Sequence, residues 1–128
     1  MQGSSREHGF FSWNELITSD LESAKKFYGD LFGWKFKEVE TIHGNPYLVA
    51  MIGDKVVAGM LLRDGNMPED VALQWDTYVT VDDVDVSVQK VEAAGGKIML
   101  PPTDISGVGR FCVILDPQGV GFNLITYS

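Results

Sequence analysis

Residues 109–125, GRFCVILDPQGVGFNLI, carry the decisive pattern. The run 111–115 is apolar and rich in β-branched residues, as a strand requires. Asp116-Pro117-Gln118-Gly119 then supplies a turn, with Pro117 fixing φ and Gly119 free to take positive φ. The second run alternates, with Val120, Phe122 and Leu124 on one face and Gly121, Asn123 and Ile125 on the other. The stretch therefore predicts a hairpin with one apolar face and one roomier, partly polar face of the kind that walls a small-molecule pocket.

Upstream, 10–18 (FFSWNELIT) reads as a strand. Ser19 with Glu22 forms a capping-box pattern, and Asp20 adds negative charge to the first turn of a helix. Leu21, Ala24, Tyr28 and Leu31 recur at helical spacing, and Gly33 is a natural stop. A strand over 34–40 (WKFKEVE) leads to a turn at His43-Gly44-Asn45-Pro46, and 47–52 and 55–63 pair across Gly53-Asp54. The polar stretch 64–72 (DGNMPEDVA) reads as a linker. Then the order repeats: a strand over 73–81, Asp82 as N-cap, a helix with Val84, Val88, Val91 and Ala94 on one face, a stop at Gly95-Gly96, a short strand over 97–100, a glycine-containing loop after Pro101-Pro102, and the closing hairpin.

The two halves are β-α-β-β-β units. A shift of 63 residues aligns them without a gap from Trp13 to about Arg63, placing Asp20 on Asp83, Tyr28 on Val91, Gly33 on Gly96 and Leu61 on Leu124. The expected fold is α+β: two tandem βαβββ modules, residues 10–63 and 73–127, forming a curved mixed sheet around a cleft with the helices outside. Residues 1–9 are expected to be a disordered tail.

The totals bound the function. At 128 residues one domain with a real core is expected. A net charge of −8 argues against nucleic acid or an anionic membrane surface as partner. No apolar run approaches the ~18 residues of a membrane span, and the N-terminus lacks the apolar segment of a signal peptide. The single Cys112 excludes an intrachain disulfide and fits a reducing, cytoplasmic setting. Its apolar strand predicts an inert core thiol.

The segments LITSDLESAKKFYGDLFGWKF, TVDDVDVSVQKVEAAGG and GVGRFCVILDPQGVGFNLI resemble the vicinal oxygen chelate superfamily, the group of glyoxalase I, extradiol dioxygenases and bleomycin-resistance proteins. The resemblance spans about residues 10–127 and implies a homodimer. Metal-dependent members place ligands, mostly His and Glu, at four equivalent strand positions, which here carry Trp13, Met60, Asp76 and Asn123. Of these only Asp76 is a good ligand for a hard cation, and the two histidines, His8 and His43, fall in the tail and a turn. The expectation is therefore no metal and no cofactor.

By alternation, Trp13, Glu15, Met60, Asp76, Tyr78 and Asn123 face the cleft, an aromatic wall with two carboxylates, a phenol and an amide. That set suits a planar or partly cationic small ligand. Glu15 and Asp76 are the candidate general bases, with Tyr47, Arg110 and the loop 103–109 forming a flexible mouth. The expected function is binding of a small, aromatic or planar molecule without a conventional metal site. Two alternatives are a metal-independent or atypical-metal lyase, isomerase or hydroxylase-like enzyme, and an interaction protein with a vestigial cleft.

Overall fold

The protein was analysed as a computed structural model, which describes residues 6–39, 46–63 and 72–128. The expected turn at His43-Gly44-Asn45, nearly all of the linker 64–72 and the first five residues of the tail lie outside them. Among the described residues eight strands and two helices make an α+β fold: β1 (Phe11–Thr18), α1 (Leu21–Phe32), β2 (Lys35–Val39), β3 (Tyr47–Ile52), β4 (Lys55–Leu62), β5 (Gln74–Thr80), α2 (Val84–Ala93), β6 (Lys97–Ile105), β7 (Gly109–Leu115) and β8 (Gly121–Tyr127). Among the described residues no helix is long and apolar enough to cross a membrane.

The chain forms two compact units, Trp13–Asp76 and residues 6–12 with Thr77–Ser128. In the first unit β2, β3 and β4 are antiparallel neighbours and β1 pairs parallel with β4. In the second, β6, β7 and β8 are antiparallel and β5 pairs parallel with β8. Each unit thus has a mixed sheet with one helix packed on it. The described tail residues are not loose: in the second unit Gly9 N–H donates to Thr80 O at 2.7 Å and Thr80 N–H to Phe10 O at 2.8 Å. Asp82 N–H donates to His8 Nδ1 at 2.9 Å, and the Arg6 guanidinium sits 4.3 Å from the centre of the Tyr127 ring.

Both helices start one residue later than expected. Asp20, in extended conformation, is the cap of α1, and its Oδ1 accepts from Ser23 N–H at 3.0 Å; Ser19 does not form the capping box. Asp83, not Asp82, caps α2, with Oδ1 accepting from Asp85 and Val86 N–H. Carboxylates at these positions satisfy amide donors that the helix itself leaves unpaired.

Core formation fixes the faces of the strands. In the first unit Leu16, Leu48 and Met60 pack with Ala24 of α1, backed by Leu21, Tyr28, Trp34 and Phe36. Leu31, expected on the same stripe, is instead 58% exposed. In the second unit Cys112, Ile114 and Leu124 pack with Val81 and Val84. Phe122 and Leu124 are on this helix face and Asn123 and Ile125 on the other, as the hairpin pattern predicts.

The gap-free repeat holds only at the starts of the helices; by the first residues of β2 and β6 the offset is 62, since Lys35 pairs with Met51 as Lys97 pairs with Leu115. Asp20 and Asp83 are both caps, and Ala24 and Ser87 are both buried, at an offset of 63. The hairpins are equivalent at 64: Leu48 pairs with Met60 as Cys112 pairs with Leu124, and all four lie in the cores. The change from 62 to 64 arises in β6. This strand does not stop at Leu100; it runs through Pro101-Pro102 to Ile105, with register shifts between Ile98 and Leu100 and between Leu100 and Thr103. Such irregularities let a strand pass over residues without a ladder N–H. The expected loop 103–109 shrinks to a turn at 106–108, closed by Val108 N–H on Ile105 O at 3.0 Å. At the closing hairpin, Asp116 Oδ1 accepts from Gln118 and Val120 N–H, and Gly119 takes φ 89°.

The Met60 side chain, fully buried under α1, is expected to be the most costly to truncate on β4. Met60→Ala should lower unfolding free energy by about 2–5 kcal/mol. Leu31→Ala should change it by about 0.5 kcal/mol or less, because its side chain is outside the core. Urea denaturation of the two variants measures the contrast.

Candidate functional site

The face of the first sheet away from α1 carries the polar residues. β1 and β4 pair Glu15 with Gly59, and β3 and β4 pair Val49 with Gly59 and Tyr47 with Leu61. Since paired residues share a face and alternate ones recur on it, Trp13, Glu15, Ile17, Tyr47, Val49, Gly59 and Leu61 lie together. Three of them form a hydrogen-bonded chain. Trp13 Nε1–H donates to Tyr47 Oη at 3.1 Å, and Tyr47 O–H donates to Glu15 Oε2 at 2.7 Å. Glu15 is only 9% exposed, whereas Trp13 and Tyr47 are half-buried.

Gly59 makes this arrangement possible. A Cβ at position 59 would overlap the hydroxyl and ring carbons of Tyr47. Tyr47 therefore lies across the β4 backbone, reaching from its own pairing partner Leu61 back to the strand position beside Glu15. A glycine is required here for space, not for backbone angle.

The sequence-predicted site is partly assembled and partly redistributed. Trp13, Glu15 and Tyr47 come together, with Tyr47 fixed in the chain and not on a flexible mouth. Met60 is wholly buried on the opposite face against Leu16, Leu48 and Ala24, so its assignment to the ligand face is wrong. The one-residue slip of the hairpins explains the error: Asn123, paired with Tyr78, corresponds to Gly59, paired with Glu15. Asp76 is half-buried and accepts from Gln74 Nε2 at 2.8 Å.

In the second unit Tyr78 and Asn123 pair on the face away from α2 and are 8% and 3% exposed. Phe111, the counterpart of Tyr47, has its ring 6.3 Å from that of Tyr78. An aromatic pair thus replaces the phenol–carboxylate pair of the first unit.

Arg110 is also displaced from its expected role. Its Nε and Nη2 donate to Asp85 at 2.9 and 3.1 Å, and its Nη1 to Asp104 at 3.1 Å. It clamps β7 to the first turn of α2 and to β6. The forked bond from Arg110 holds the Asp85 carboxyl below the ordinary carboxylate value, while Asp85 and Asp104 raise the guanidinium further. Burial pushes the Cys112 thiol up, as an inert core position requires.

The four positions that the resemblance implies for metal ligands become Trp13, Gly59, Asp76 and Asn123 once the hairpins are matched at an offset of 64. Gly59 has no donor atom, the place beside it is taken by the Tyr47 hydroxyl, and the Trp13 N–H is already given to that hydroxyl. Only Asp76 offers a hard-metal donor and Asn123 a neutral amide, so these residues do not fit the family's usual ligand set. Among the described residues no group of three or more His, Cys, Asp and Glu side chains is placed to hold a metal ion.

The profile of the Glyoxalase/Bleomycin resistance protein/Dioxygenase superfamily matches residues 11–124, and the chain belongs to that family. It is 39% identical over 114 residues to the putative glyoxylase CFP32 of Mycobacterium tuberculosis, covering 88% of this chain and 44% of that protein. It is 30% identical over 122 residues to the anthracycline biosynthesis protein DnrV of Streptomyces peucetius, again covering 87% and 44%. The chain thus spans less than half the length of these curated relatives. Among solved structures, methylmalonyl-CoA epimerase from Mycobacterium tuberculosis superposes with a TM-score of 0.62 at 18% identity, covering 98% of this chain and 91% of that one. At that identity the likeness concerns the fold alone.

Two outcomes test this geometry. Gly59→Ala should destabilise by about 1–3 kcal/mol through overpacking. The loss should be much smaller when introduced into Tyr47→Ala, a non-additivity that a double-mutant cycle detects. Separately, Arg110→Met should lower Tm modestly at neutral pH. Because the Asp85 carboxyl is depressed in the folded protein, the stabilisation is present above its ordinary value of 3.8 and lost as pH falls through its lower folded value. The Tm difference between the two proteins should therefore close in acid.

Proposed function

We propose that this chain binds a small planar molecule on the face of the first sheet that carries Trp13, Glu15 and Tyr47, and that it does so without a conventional metal site. The observation that carries the reading is the Trp13–Tyr47–Glu15 hydrogen-bonded chain, which places an indole, a phenol and a carboxylate on one face in a fixed arrangement. A buried carboxylate held by a charge-assisted bond is pre-oriented, so a ligand need not order it. The indole and phenol rings supply flat apolar area around it. Gly59 in place of a ligating side chain, and Met60 in the core, support binding without metal.

A second reading is a metal-independent lyase or isomerase in which Glu15 accepts a proton from the bound molecule. The 2.7 Å bond from Tyr47 favours it, because it fixes the carboxylate where a base must be fixed. A ligand recovered chemically unchanged after prolonged incubation removes this reading and leaves binding intact.

A thermal-shift screen of planar aromatic molecules spanning positive, neutral and negative charge tests the proposal. At least one class should raise Tm, and the rise should vanish in Trp13→Ala and Glu15→Gln while persisting in Arg110→Met. Metal analysis of protein purified without chelator should find far less than one ion per chain; a full equivalent lost on Asp76→Ala would overturn the metal-free reading.

A further inference from the structure

A surface helix ordinarily keeps its solvent side polar, and α1 does not. Phe27, Leu31 and Phe32 are each more than half exposed, and Trp75, on β5, is 41% exposed. Tyr28 joins the aromatic ones: its ring centre lies 5.0 Å from that of Phe27, 6.3 Å from that of Phe32 and 5.5 Å from that of Trp75. Trp75 Nε1–H also donates to Tyr28 Oη at 3.2 Å. Leu31 follows Phe27 by one helical turn and adjoins it on the helix surface. The four exposed side chains leave on the order of 400 Å² of connected apolar surface in water, a size that marks an interaction surface. All of them belong to the first unit.

The charges beside this patch identify its occupant. Phe27 and Leu31 form one ridge of α1, and Lys26 and Asp30 form the neighbouring one. Lys26 Nζ bonds Asp30 Oδ2 at 2.9 Å with both side chains largely in solvent, so the pair is worth little where it stands. A two-fold axis perpendicular to α1 lays one copy of the helix antiparallel against another. Phe27 then meets Leu31 of the second copy, and in the same register Lys26 meets Asp30 of the second copy. Both ridges are complementary to themselves. The chain carries a net charge of −8, so two copies repel at long range, and two exchanged ion pairs at the contact offset that repulsion.

We propose that the outer face of α1 is a docking surface for a second copy of this chain, packed antiparallel about a two-fold axis through the Phe27–Leu31 ridge. With its charged rim the contact reaches about 1,000 Å² in total, the low end for specific complexes, so the dimer forms over a range of about 1–100 µM. The opposite face of the sheet, which carries Trp13, Glu15 and Tyr47, takes no part in it.

Sedimentation velocity from about 1 to 200 µM tests the proposal, and the mass of the parent chain should rise from one copy to two across that range. Leu31→Glu and Phe27→Glu should each weaken association about tenfold or more, by placing a charge in the apolar contact. Both side chains are exposed, so the circular dichroism of the variants should match that of the parent. Lys26→Glu and Asp30→Lys should each weaken association about threefold, and the double variant should restore it, because opposite charges again meet across the axis. A parent chain that stays monomeric at about 200 µM would overturn the proposal, and so would a dimer indifferent to both Leu31→Glu and Phe27→Glu. A dimer broken by Leu31→Glu but insensitive to both charge reversals would overturn the antiparallel register. A monomer that instead sediments with phosphatidylcholine vesicles, and loses this in Leu31→Glu, would replace the second copy by a lipid surface.

Discussion

A β-strand has only two faces, and burial beneath a helix decides which one a unit can spend on function. In the first unit that decision is made by Leu16, Leu48 and Met60 closing over Ala24 of α1. Once these side chains are inside, the pleat forces Trp13, Glu15, Tyr47 and Gly59 to the other face. A slip of one residue would bury Glu15 under the helix and expose Met60, exchanging a satisfied core for an apolar surface and an ill-placed charge. The site is therefore specified by packing on the opposite side of the sheet, before any polar contact is made.

The second unit shows the same scaffold put to different use. Its helix cap, core and hairpin correspond to those of the first: Asp83 to Asp20, Cys112 and Leu124 to Leu48 and Met60. On the free face the correspondence ends. Glu15 and Tyr47 give way to Tyr78 and Phe111, and Gly59 to Asn123. Helices and cores constrain residue type through burial and hydrogen-bond satisfaction. The free face is under no such helix-packing constraint, the halves diverge there, and membership of the family does not transfer an activity.

The same distinction governs what was legible in the primary structure. The modules, both hairpins and the helix-facing stripes follow from periodicities of 2 and 3.6, which burial enforces. The caps were missed by one residue because Ser19, Asp20, Asp82 and Asp83 are all competent, and only the strand ends choose among them. The Met60 assignment failed for a subtler reason. A gap-free offset preserves face only if no residue is gained or lost, and β6 gains residues at Ile98–Leu100 and Leu100–Thr103. Pro101-Pro102 was the available signal, since prolines in an otherwise extended stretch mark an irregular strand as readily as its end. Arg110 could not be read from local pattern, because its partners Asp85 and Asp104 are set by tertiary packing.

Why the carboxylate should come with a phenol and an indole follows from the cost of burying it. A carboxylate as enclosed as Glu15 loses much of its hydration, and without compensation it would take up a proton or open the structure. A donor from the protein offsets that loss without neutralising the charge, and a phenol does so at 2.7 Å. A phenol alone can rotate its proton toward solvent; accepting from Trp13 removes that freedom by occupying the oxygen from the other side. The indole in turn needs a position two residues before Glu15 on the same strand, and the phenol needs a strand backbone with nothing above it. Gly59 is thus the condition on which the rest of the polar chain depends: it contributes no atom to the chemistry and leaves open the one volume in which the proton that steadies Glu15 can stand.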